Sequence, residues 1–241
     1  MPDSEGGWGS AILDGGLLGG GNLRAAVLGA NDGLVSNFSL VMGVAGGSGD
    51  PTIVLLAGIA GLLAGAFSMA AGEWISVSSQ ADVYRNLIRR AFAAFQDAPT
   101  RHERALVDIY RSKGLTQDEA LVVARRIKAD PDVALETMAR EELGLDPNSL
   151  GSPTGAAASS FVAFSIGAII PIVPYLLELG SMTLPLSTLL SAVALLIVGA
   201  LVAAGSGRNI AWGGMRMLIA GGAAAAVTYG VGSLIGIALV G

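Results

Sequence analysis

Apolar residues run along the chain in five long stretches, at about 24–46, 53–77, 155–178, 186–206 and 213–240. A block rich in charge, about 78–150, separates the second from the third. Each stretch reaches the ~20 residues a helix needs to cross a hydrocarbon core of about 30 Å. The pattern predicts an all-α integral membrane protein with five transmembrane helices and a cytoplasmic helical domain between the second and third. Its divisions are a cytoplasmic tail at 1–22, transmembrane helices one and two at 23–77, the helical domain at 78–150, and helices three to five at 151–241. The second stretch should run on into the charged block, because GEWISVSSQADVYRNLIRRAFAAF holds no proline and one glycine.

The charged block itself reads as an extension of that helix followed by three more. Thr100 with Glu103, and Thr116 with Glu119, have the spacing of capping boxes. Gly114 should end one helix, Asp130–Pro131 should start another, and Gly144 should end it. Leu106, Ile109 and Tyr110 share one face, Ala120, Val123 and Ile127 a second, and Leu135, Met138 and Glu142 a third. Eleven basic and twelve acidic residues nearly cancel here, so the block is a packed domain rather than a polybasic lipid anchor.

Composition strengthens the membrane reading. The 241 residues are 52% hydrophobic and only 14% charged, against about 25% charged in soluble domains, and mean hydropathy is +0.63. Absence of cysteine excludes disulfides and thiolate chemistry, and a single histidine, His102, leaves no His-rich metal site. With no G-x-S-x-G either, no nucleophile–base set is visible, so neither an enzyme nor a resident cofactor is expected. A net charge of -5 argues against nucleic acid, which calls for a basic patch.

Charge placement then orients the chain. Of fourteen basic residues, eleven lie between Arg85 and Arg140, Arg24 precedes the first stretch, and Arg208 and Arg216 flank the turn between the last two. The 47–52 and 179–185 loops carry none. Cytoplasmic loops collect Lys and Arg, so the N-terminus is expected inside and the C-terminus outside. Trp74 and Trp212 fall near cytoplasmic span ends, where interfacial aromatics sit. The first residues, MPDSEGGWGSAILDGGLLGGGN, lack a basic n-region and read as a tail rather than a signal peptide.

Against this background Asp32 stands out. A carboxylate at the centre of a membrane helix costs roughly 2.5 to 3.5 kcal/mol, and something must offset it. Asn31, Ser36, Asn37 and Ser39 surround it in sequence, and Ser36 and Ser39 follow at helical spacing on its face. In the second stretch Met69 and Glu73 are four apart, with Ser76 on the next turn. Carboxylate, thioether and hydroxyl together suit a divalent first-row metal such as Fe2+ or Mn2+ better than Mg2+ or Ca2+. A carboxylate that takes either metal or proton also supplies antiport. Plainer readings stand beside this one: Asp32 as a neutral hydrogen-bonded acid, Glu73 as a solvated interfacial group, Met69 as packing, and Gly58, Gly61 and Gly65 as close helix contacts.

Four motifs, NLRAAVLGANDGLVSNFSLVMGVAG, AGAFSMAAGEWISVSSQADVYR, EELGLDP and GAIIPIVPYLL, taken together resemble the vacuolar iron transporter family, in order from about 22 to 240. The resemblance implies a homodimer that exports Fe2+ and often Mn2+ from the cytosol in exchange for protons, with the metal path at the dimer interface. It places Asp32 and Met69 at intramembrane ligand positions and Glu73 at the glutamate of the bacterial-type GEWISVSSQ motif. It also implies two Glu-x-x-Glu pairs in the cytoplasmic domain, but those positions are Ala91, Ala94, His102 and Ala105 here. Ala25 likewise replaces an acidic residue found in some members. Glu142, with Met138 one turn before it, remains at a ligand position, and Asp97, Glu103 and His102 are candidate weak substitutes. A depleted cytoplasmic capture site is therefore expected. The expected function is proton-coupled metal export across a lipid bilayer, in a bacterial inner membrane. The alternatives are a non-transporting scaffold or metal sensor, or a proton-coupled transporter of another small cargo.

Overall fold

The structure, a computed structural model, describes residues 20–97, 99–141, 144 and 151–240. Most of the predicted tail lies outside them, and Gly20–Asn22 is already the first turn of a helix. The described elements are α1 (Gly20–Gly47), α2 (Pro51–Asp97), α3 (Pro99–Ser112), α4 (Gln117–Lys128), α5 (Pro131–Glu141), α6 (Pro153–Ile169), the single turn α7 (Val173–Leu176), a 3-10 turn at Gly180–Met182, α8 (Thr183–Gly205) and α9 (Ile210–Val240). Among the described residues there is no strand. The chain forms two compact units, one of residues up to Ile75 together with Pro153 onward, the other Ser76–Ser152.

Among the described residues, three helical segments are long and apolar enough to cross a membrane: Pro51–Arg90, Gly180–Gly205 and Ile210–Ala238. The first predicted stretch does form a helix of 28 residues, but Asn31, Asp32, Asn37 and its serines make it less apolar. The third differs more. Instead of one helix over 155–178 there is a 17-residue helix, a turn at 170–172, and the one-turn α7. Pro171 and Pro174 explain the break, since each lacks the N–H that a continuous helix would use.

In the first unit α1 packs along α6 and α9, and α9 along α8. Backbone contact with α6 depends on Gly33 and Gly167, because a Cβ at either would run into the carbonyl of Phe164 or of Ala30. Such small-residue seams are how membrane helices approach closely. Leu34, Phe38, Leu195 and Ala225 are buried where α1, α8 and α9 meet. The seams fix the rotation of α1 and so decide which of its side chains face α2.

Helix α2 touches this bundle through side chains. Ala66 packs with Phe164 and Ala168, and Val54 with Val41 and Tyr175. Its other face, with Leu56, Leu63, Phe67 and Ile75, is exposed.

The second unit is built largely as its sequence dictates. Leu106, Val107, Ala120, Ala124, Ile127 and Ala134 form its core. The Thr116–Glu119 capping box is complete in both directions. Gly114 takes φ 100 just past α3, and Asp130 Oδ1 accepts from the Val133 N–H at the start of α5. Of the other expected box, the Thr100 side chain lies outside the described residues; α3 starts at Pro99, so Thr100 falls within the helix. Proline at the first helical position is the stronger start signal here.

Candidate functional site

Seams on two sides leave the remaining face of α1 towards α2, and between these helices lies a cleft of about 430 Å³. From α1 it is lined by Asp32, Ser36, Asn37 and Leu40, from α2 by Gly61, Gly65, Ser68 and Met69, and from α6 by Phe164. The two residues whose chemistry drew notice in the sequence, Asp32 and Met69, thus open onto one space. Ser36 donates its hydroxyl proton to the Asp32 main-chain oxygen, which leaves its lone pairs free. Met69 is half-buried against the Ala66–Phe164–Ala168 cluster. It serves packing and lines the cleft at once.

The helices run antiparallel, so residue pairs mark levels along the cleft. Arg24 meets Glu73 at one end, their ion pair closing at 3.1 Å with the Glu73 side chain only 12% exposed. Met69 stands one turn further in, Asp32 lines the same cleft, and Asn37 lies opposite Gly61. Past that level contacts turn apolar: Val41, Val54, Ile172 and Tyr175 are each at most 5% exposed. Tyr175 also borders a pocket of about 400 Å³ beyond, which carries Thr52, Glu178 and Thr183.

Other candidates are placed elsewhere. Asn31 lines a different groove, with Arg24, Arg216 and Met217. The Ser39 hydroxyl is buried without a partner, beside α9, whose Thr228 donates to the Ser39 carbonyl. Ser76 is exposed on α2 in the second unit, within 3.5 Å of Gln80 Nε2. Glu103 is held by Lys128 at 2.9 Å and Arg125 at 3.5 Å. Lys128, foremost, and Arg125 hold its carboxyl below the usual range, which fits a cross-helix tie better than a waiting ligand. Glu142 lies outside the described residues, as do the side chains of Asp97, His102 and Met138. Among the described residues no three of His, Cys, Asp or Glu gather as a metal-holding group.

Sequence reasoning gave Arg24 only a topological role and passed over Ser68. Local spacing cannot reveal an ion pair between residues 49 apart. The signal available was coarse: one basic and one acidic residue at the same end of two antiparallel apolar stretches.

Comparison with known proteins places the chain. The model of the VIT family matches residues 23–233. The chain belongs to the VIT family. It is 36% identical over 220 residues to rice "Vacuolar iron transporter homolog 1", covering 89% of this chain and 74% of that one. It is 35% identical to the "Vacuolar iron transporter" of Acanthamoeba castellanii, over 89% and 78% of the two chains. With Arabidopsis "Vacuolar iron transporter homolog 3" it shares 34% over 89% and 83%. The VIT family is one of membrane transporters, not enzymes, and the match spans both units of the fold.

Proposed function

We propose that the chain exports a divalent transition metal, Fe2+ or Mn2+, from the cytosol in exchange for protons, along the α1–α2 cleft. The observation that carries this is that Asp32 and Met69, a carboxylate and a thioether residue, line one cleft together with Ser36 and Ser68. Iron transport in the names of the relatives agrees with that donor set. Oxygen donors accept a divalent ion, and the sulfur favours Fe2+ or Mn2+ over the harder Mg2+ and Ca2+. A bound cation offsets the cost of the intramembrane carboxylate. When the ion leaves, a proton takes its place on Asp32, which is the exchange.

The reading sets five segments across the bilayer: α1, the first part of α2, α6 with α7, α8 and α9. The N-terminus is cytoplasmic and the C-terminus outside, following the basic residues, in a bacterial inner membrane. The Arg24–Glu73 pair then marks the cytoplasmic mouth, where arriving metal competes with Arg24 for Glu73. Asp32 is exposed in the single chain, as is the apolar outer face of α2. A second copy seated against that face would shield Asp32 from lipid and bring two sets of donors together.

The test is accumulation. Bacteria stripped of their own exporters and loaded with Fe2+ or Mn2+ should hold less metal when they express this chain. Asp32→Ala, expressed to the same level in the membrane, should give no such protection. Equal protection by both would remove the mechanism.

A further inference from the structure

Asn37 is 2% exposed, and the fold treats the two ends of its amide differently. Its Nδ2 donates to the Ala168 carbonyl on α6 at 2.6 Å, which sets the flip of the amide and turns the oxygen away from α6. That oxygen is fully covered and accepts no hydrogen bond. A buried acceptor left in that state costs about 1–3 kcal/mol, so it calls for an explanation.

Position supplies one. Asn37 lies five residues beyond Asp32, about 7.5 Å along the helix, and lines the same cleft. A Cβ added at Gly61 would stand 2.7 Å from Asn37 Oδ1 and would overlap the Leu40 terminal methyl. The missing side chain at Gly61 thus leaves Asn37 Oδ1 facing α2 beside the end of Leu40. At the next level the Val41, Val54, Ile172 and Tyr175 seal begins. Asn37 is thus the deepest polar group lining the cleft on the Asp32 side of that seal.

We infer that Asn37 Oδ1 is a second station for the divalent cation, which receives it from Asp32 and holds it beneath the seal. The inference rests on the transport reading of this cleft. An amide carbonyl is a good oxygen donor to a divalent ion, but being neutral it holds the ion less tightly than a carboxylate. Nor does it compete for the proton that discharges Asp32. Protonation of Asp32 would then drive the ion one way, towards Asn37.

The test uses Mn2+ as probe, with flux measured in proteoliposomes and binding measured on the full chain in detergent. Asn37→Leu and Asn37→Ala remove the oxygen with and without its volume, so that one folded variant suffices. Each should bind Mn2+ at Asp32 with affinity within roughly twofold of wild type, yet lose flux by about tenfold or more, the scale of one lost metal-site contact. Asn37→Asp, with a charged oxygen in place of a neutral one, should bind Mn2+ more tightly than wild type and release it slowly. Wild-type flux in a folded apolar variant, with Asp32→Ala silent, would overturn the station. So would loss of Mn2+ binding together with flux in both apolar variants, since that marks a structural role. Absence of flux from the wild-type protein is a different outcome, and it counts against the transport reading itself.

Discussion

Met69 shows how one side chain can serve packing and chemistry together. It fills space against Ala66 and Phe164, and it lines the cleft that Asp32 also lines. Met69→Leu keeps the volume, so folding should change by less than about 1.5 kcal/mol. Selectivity should change instead: Mg2+ should compete poorly with Mn2+ flux in the wild type and better once the soft donor is gone. Equal competition in the two proteins would reduce Met69 to packing. Arg24 makes a complementary case. It is 64% exposed and pairs with Glu73, so the pair is worth at most about 1 kcal/mol. Arg24→Gln frees the carboxylate and should strengthen Mn2+ binding, by no more than about fivefold. Weaker binding in a titration of that variant would mean that Arg24 positions Glu73 rather than competing for it.

At the scale of elements, the sequence made the helices legible wherever a local signal acts alone. Thr116–Glu119 and Asp130–Pro131 start α4 and α5, and Gly114 stops α3, because caps are decided by a few adjacent residues. α3 itself began one residue before the expected Thr100, at Pro99. The third apolar stretch broke at Pro171, where apolarity alone says nothing of hydrogen bonding. Asp32 and Met69 could be singled out by type, but their meeting depends on the Gly33 and Gly167 seam that turns α1. The same limit hid the orphaned oxygen of Asn37, which takes a helix register to reveal. Glu103 ties α3 to α4, and its folded pKa lies below the 4.5 of the free group. Its stabilisation is therefore present above pH 4.5 and is lost as pH falls through the folded value. Glu103→Gln should speed amide exchange in α4 at neutral pH and remove part of the acid-induced rise seen in the wild type. An unchanged exchange profile at both pH values would show that the pair contributes nothing.

Along the α1–α2 contact, polarity is arranged in sequence: an ion pair towards the start of α1, Met69 and Asp32 on the cleft, a buried amide oxygen, then an apolar seal. An exposed Asp32 would be costly for a single chain in lipid, which is why the proposed assembly is a pair. Membership of the VIT family and the donor set lead to one central claim, that metal crosses this chain at the expense of a proton gradient through Asp32. The most direct measurement is flux of Fe2+ and of Mn2+, separately, into proteoliposomes with and without a pH gradient, with Asp32→Ala alongside. The account predicts flux of at least one ion, faster when the receiving side is acidic, and none in the folded variant. Flux that ignores the gradient, or that survives Asp32→Ala, would contradict it.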